Sequence, residues 1–138
     1  MFVDASVIVA VINREPGWEA LARRLEQATP FFSQLSRFEA VLAVTRASTE
    51  ITGRRATSST VEKARDKVDS ILDILGAKNV DIGVEIGDRA LAASARYGKI
   101  VGHPARLNLG DCFAYACAKS LKVPLLYKGD DFASTDLG

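Results

Sequence analysis

The chain has 138 residues, 48% of them hydrophobic, which fits one domain that buries its own core without staples. Eighteen basic residues against 17 acidic ones leave a net charge of +1. That balance excludes nucleic-acid binding driven by bulk charge, so any such binding has to come from local patches. No apolar run reaches membrane-spanning length, and no charged segment precedes an apolar one at the N-terminus, so the expectation is a cytoplasmic protein without membrane contact.

In chain order, Met1–Asp4 reads as a short buried strand, and Ala5–Asn13 continues as a helix that Asp4 or Ser6 can cap. Glu15-Pro16-Gly17 breaks the pattern, and Trp18–Ala28 is predicted to be an amphipathic helix with Leu21, Leu25 and Ala28 on one face. Phe31-Phe32-Ser33 follows as a second strand. Leu35–Ser48 reads as a helix with Leu35, Phe38, Leu42 and Thr45 along one side, and residues 56–75 as a long helix stopped by Gly76. Val80–Val84 is the expected third strand, Glu85–Tyr97 a helix ended by Gly98, Asp111–Leu121 another, and Val123–Tyr127 the last strand. Short apolar strands alternating with helices predict an α/β domain, its parallel sheet covered on both faces. The whole span 1–138 reads as one such domain, with no repeat and no linker. In open sheets of this kind, ligands bind beyond the carboxyl ends of the strands.

Four acidic positions adjoin or interrupt apolar stretches: Asp4, Glu39, Asp111 and the pair Asp130/Asp131. Asp4 and Asp111 each have an ordinary alternative as helix caps, and Asp130 and Asp131 as turn residues after Gly129. Glu39 has no such alternative. At helical spacing it stacks with Leu35 and Leu42, inside the expected apolar stripe, where a charge needs a cation or a hydrogen-bonding network; Arg37 and Arg46 are the nearby candidates for an ion pair. If the four positions converge, like charges repel by several kcal/mol at intermediate dielectric. Hard divalent cations relieve that repulsion, and all-carboxylate ligation favours Mg²⁺ or Mn²⁺. One histidine and no cysteine pair at ligand spacing argue against zinc. Cys112 and Cys117, five apart on a predicted helix, point roughly 140° apart and cannot bridge each other, so they read as small core residues. Such metals activate water and stabilise a phosphodiester under attack, which makes phosphodiester hydrolysis the leading reaction class.

Four segments carry a family likeness. Phe2-Val3-Asp4-Ala5-Ser6, Ser36-Arg37-Phe38-Glu39, Leu107-Asn108-Leu109-Gly110-Asp111-Cys112-Phe113-Ala114-Tyr115-Ala116, and Leu125-Leu126-Tyr127-Lys128-Gly129-Asp130-Asp131-Phe132 with Thr135-Asp136 stand in the order of four motifs. In these the chain resembles PIN-domain proteins, specifically VapC-type toxin ribonucleases of type II toxin–antitoxin pairs. The last two motifs are the specific ones. The resemblance implies a three-layer α/β/α sandwich with a short-stranded parallel sheet. It implies Asp4, Glu39 and Asp111 as metal-binding and catalytic acids. A Gly-variable-Asp-Phe pattern aligns Asp131 as the fourth acid, with Asp130 as well placed at the strand end. Ser6 matches a small hydroxyl residue beside the site, and Ser6, Arg37 and Lys128 are expected to contact substrate.

The likeness further implies an Mg²⁺- or Mn²⁺-dependent endoribonuclease, commonly a homodimer. Its expected partners are an RNA substrate and a cognate VapB-type antitoxin that neutralises it, with DNA reached only through the antitoxin. The competing expectation is a PIN-like module that binds RNA or a partner but no longer cuts. A phosphoacceptor receiver domain needs an acceptor aspartate near residues 50–60, where Glu50-Ile51-Thr52-Gly53-Arg54-Arg55 offers none.

Two further groups carry open readings. Arg54, Arg55, Lys63, Arg65 and Lys67 form either a solvated face or a rim contacting phosphates or antitoxin. His103, the only histidine, reads as a surface or capping residue more readily than as a base.

Overall fold

The computed structural model describes residues 1–138. Four strands, β1 (Phe2–Val3), β2 (Phe31–Ser33), β3 (Lys78–Val80) and β4 (Leu125–Leu126), form one parallel sheet in the order β3-β2-β1-β4. The helices are α1 (Ala5–Ile12), α2 (Trp18–Glu26), α3 (Gln34–Thr52), α4 (Ser58–Ile74), α5 (Val84–Tyr97) and α6 (Leu109–Leu121), with a 3₁₀ turn at Lys99–Val101.

Strand periodicity sorts even these very short strands between two cores. Phe2, Phe31 and Leu125 face a cluster built from α5 and α6, where Ala90, Ala93, Ala116 and Cys117 allow close packing. Val3, Phe32 and Leu126 face the opposite cluster, built from α1 to α4 around Val7, Val44, Val68 and Leu72. The result is a three-layer α/β/α sandwich. Cys112 and Cys117 are buried and unbridged.

Pairing extends beyond the strands themselves: the Phe31 amide donates to the Met1 carbonyl at 2.8 Å, and the Asp4 amide donates to the Leu126 carbonyl at 2.9 Å. The chain steps outward from β1 to β2 and β3, then returns to place β4 on the other side of β1. That reversal opens a crevice beyond the carboxyl ends of β1 and β4.

Three elements differ from expectation. The third strand is Lys78–Val80 rather than Val80–Val84, because it forms the sheet edge: Lys78 and Asn79 are exposed and held by backbone pairing with Phe31 and Phe32, not by apolar pattern. Val84, although apolar, opens α5 and is exposed. On α3 the buried face is Ser36, Ala40, Val41, Val44 and Thr45, so Phe38 projects outward, 59% exposed. The α2 helix ends at Glu26, which leaves Ala28 exposed rather than on the apolar face with Leu25.

Candidate metal centre

Asp4 sits where β1 becomes α1. It is the N-cap of α1, and its Oδ2 accepts the Ser6 amide at 2.9 Å. It is 8% exposed, and burial pushes its carboxyl above the usual range; hydrogen bonds from Ser6 and Ala5 oppose the rise and the charge of Asp131 adds to it. Cap and site residue are therefore one side chain, with one oxygen holding the helix and the other left over.

Asp111 was expected to open a helix at its N-cap. The structure places the cap at Asn108 and Asp111 three residues into a capping box. Asp111 Oδ2 accepts the Asn108 amide at 2.9 Å, and the Asp111 amide donates to Asn108 Oδ1 at 3.0 Å. Burial pushes its carboxyl up to about 6, against the Asn108 bond, with Asp4 and Asp131 adding negative charge.

Glu39 lies in the second turn of α3, after the Ser33/Ser36 capping box. It makes no hydrogen bond and no ion pair. Its carboxyl rests directly on Gly110 of α6, so that a Cβ at position 110 would collide with the Glu39 carboxyl oxygens. Glycine is required there for contact rather than for backbone conformation. Burial, then Asp4 and Asp111, push Glu39 up to about 7. No buried polar side-chain atom lacks a partner, so the unbonded oxygens of these acids open to the crevice.

Asp131 is exposed, on the turn after β4, and its charge acts on both Asp4 and Asp111. Asp130 acts on none of the three, and its carbonyl accepts the Ala133 amide to close the turn. Gly129, at φ 101°, turns the chain there, and Phe132, 1% exposed, anchors the turn in the α5–α6 core. The four acids that meet electrostatically are thus Asp4, Glu39, Asp111 and Asp131. As the side chains stand, no three of them form a ready ligand cage, so side-chain rotation has to bring their oxygens onto one ion. No basic side chain pairs with any of them. A carboxylate-only donor set with no compensating cation, and a glycine cradle that leaves Glu39 room, fit a hard divalent metal.

The three residues expected to contact substrate each hold a partner within the protein. Arg37 makes a fork on Asp69 of α4, Nε to Oδ1 at 2.6 Å and Nη2 to Oδ2 at 2.8 Å. It ties α3 to α4 and does not reach Glu39 as a partner. Lys128 Nζ is paired with Glu15, while the Lys128 amide donates to Ser6 Oγ at 3.0 Å. Ser6 therefore joins the turn after β4 to the cap of α1. His103 Nδ1 accepts the Ala105 amide at 3.1 Å and its ring meets Tyr97 edge-on, a local structural role. Two positioning residues escaped the sequence reading. Asn108 was signalled by its spacing to Asp111, and Gly110 by a glycine inside a helix.

Residues 1–137 match the PIN domain. The chain belongs to the PIN-domain family. It is 54% identical over 140 residues to a VapC ribonuclease of Rhizobium meliloti (strain 1021), covering 99% of both chains. It is 36% identical over 137 residues to ribonuclease VapC42 of Mycobacterium tuberculosis, covering 99% of this PIN domain and 96% of that protein. Among solved structures, Mycobacterium tuberculosis VapC20, a Sarcin-Ricin loop cleaving toxin, superposes with a TM-score of 0.69 at 15% identity, covering 96% and 92% of the two chains. A toxin–antitoxin complex from Klebsiella pneumoniae gives a TM-score of 0.64 at 15% identity, covering 98% and 92%. The last two speak to the fold, which is the PIN sandwich described above.

Proposed function

We propose that this PIN domain is the ribonuclease toxin of a toxin–antitoxin pair, an endoribonuclease that uses Mg²⁺ or Mn²⁺. The observation that carries the reading is the set of Asp4, Glu39, Asp111 and Asp131 meeting at the crevice with no basic partner. The relatives named VapC ribonuclease and the fold neighbours that are toxins support it. Asp4, Glu39, Asp111 and Asp131 would hold the metal, which when bound activates water and neutralises charge developing on the scissile phosphate.

The remaining work falls to the chain itself. The Ser6 amide holds one oxygen of Asp4, the Leu126 carbonyl holds the Asp4 backbone amide, and the Asn108 amide holds one oxygen of Asp111. Gly110 keeps the Glu39 carboxyl at the mouth of α6. Because two of the acids double as helix-cap elements, folding brings their backbone to the crevice before any ligand arrives, and side-chain rotation completes the set.

A VapB-type antitoxin neutralises the enzyme in the cytoplasm, and DNA is reached only through that partner. Leu91, Ile100 and Leu109 are exposed on the α5–α6 face beside a pocket of about 430 Å³, which supports a homodimer. Light scattering that returns a monomer at all concentrations removes the dimer. The function itself is tested by incubating purified protein with structured RNA in Mg²⁺, Mn²⁺ or excess chelator. Cleavage is expected with metal and none with chelator; undiminished cleavage in chelator overturns the reading.

A further inference from the structure

At the far end of α3 the charge reverses. A groove of about 550 Å³ runs between the end of α3 and the start of α4, lined by Arg54, Arg55, Lys63 and Lys67 with a floor of serine and threonine hydroxyls. None of these four cations belongs to an ion pair, whereas Arg37 and Arg65 on the same two helices both pair with Asp69. Lys63 and Lys67 stand four apart on α4, a like-charge spacing that weakens an isolated helix. Arg54 and Arg55 crowd together on the α3–α4 turn. The only acid lining the groove is Asp66. In a chain of net charge +1, folding does not call for four unpaired cations in one place.

We propose that this groove binds the phosphate backbone of the substrate RNA, on the strand that continues past the acidic centre. The inference rests on the nuclease reading. Phosphate and ribose fit a wall of cations and hydroxyls in which Val44 and Ala64 are the hydrophobic residues, since backbone contacts position a nucleic acid without reading its sequence. Arg54 and Arg55, at the far end of the groove, lie about 20 Å from Glu39 along α3 at about 1.5 Å per residue. That span covers about six phosphates at about 3.4 Å per strand phosphate in a duplex. A short RNA at the acids therefore falls short of Arg54 and Arg55, and a longer one runs the length of the groove.

The test compares wild type, Arg54→Ala/Arg55→Ala and Lys63→Ala/Lys67→Ala on two RNAs, one of about four nucleotides around the scissile bond and one extending about ten further on either side. Cleavage is followed with Mg²⁺ or Mn²⁺, and circular dichroism checks the fold. Both variants are expected to raise KM for the long RNA about tenfold or more with kcat retained. They should lower the salt slope of its binding by about 0.7 per cation removed, and leave the short RNA unaffected. Equal effects on both RNAs, or none on either, overturn the groove while wild-type cleavage keeps the nuclease reading. Unchanged cleavage of long RNA with weakened inhibition by an antitoxin overturns it too and gives the surface to a protein. Failure of the wild type to cut either RNA is the distinct signature of a failed nuclease reading.

Discussion

Two sets of acids in this protein have opposite fates. Asp69 and Asp136 each receive cations, Arg37 and Arg65 for the one and Lys119 for the other, and hydrogen bonds from those partners hold both carboxyls below the usual range. Asp4, Glu39 and Asp111 receive none, and burial pushes all three above it. The chemistry of the side chain is the same; only the neighbours differ. Paired acids tie elements together, α3 to α4 and α6 to the C-terminal turn. Unpaired acids gathered in one crevice weaken the fold and are retained for something other than folding.

The sharpest way to break that contrast is to neutralise an unpaired acid. Asp111→Asn and Asp4→Asn should reduce RNA cleavage by more than the roughly 10- to 100-fold that loss of an outer-shell partner costs. Asn caps a helix about as well as Asp at position 4, and at position 111 its amide oxygen can still accept the Asn108 amide, so both variants should fold, with thermal unfolding at least as high as wild type without metal. Retained cleavage would strip these residues of their role. Gly110→Ala comes next. The added methyl displaces the Glu39 carboxyl, a flexible side-chain end, so the fold should survive while metal affinity by calorimetry drops roughly 10- to 100-fold.

The third prediction concerns pH in metal-free protein. Folded Glu39 holds its proton up to about 7 against an ordinary 4.5, and folded Asp111 up to about 6 against 3.8. The folded state thus binds more protons than the unfolded state between those values. Stability to urea should fall as pH rises from about 4 to 7 and level off above, and added Mn²⁺ should reverse the loss at neutral pH. A stability that rises across this window would contradict the raised carboxyls.

Asp69→Ala, on the paired side, should lower the melting temperature by a few degrees, about 1 kcal/mol or less for a solvent-screened pair, and leave metal affinity intact. The smallest effect belongs to Asp130→Ala, expected to be near neutral where Asp131→Ala weakens metal binding.

The sequence showed the sandwich clearly where pattern and burial coincide. Phe31-Phe32-Ser33 after Pro30 is apolar and short, and it became β2. Where pairing rather than burial decides, the pattern misled: the edge strand begins at polar Lys78, and exposed Val84 starts a helix. The site divides the same way. Acids interrupting apolar runs are visible in one dimension, and Asp4, Glu39 and Asp111 stood out on that ground. The choice between Asp130 and Asp131 stayed open in one dimension, because the motif pattern favoured Asp131 while the strand end suited Asp130 as well; the charge of Asp131 acts on Asp4 and Asp111, and the Asp130 carbonyl closes the turn. Nor could composition say that Arg37 turns to an acid 32 positions away, since charge proximity in sequence carries no information on which helix packs alongside.

The burial of Phe132 reaches beyond its own ring. Asp131 rides on a solvent-facing turn, the kind of segment in which drift is usually tolerated, yet the next residue is moored in the interior. Trimming that ring to alanine would slacken the mooring and let the neighbouring carboxyl wander, so a change with no polar atom and no surface exposure would register as a defect in ion capture.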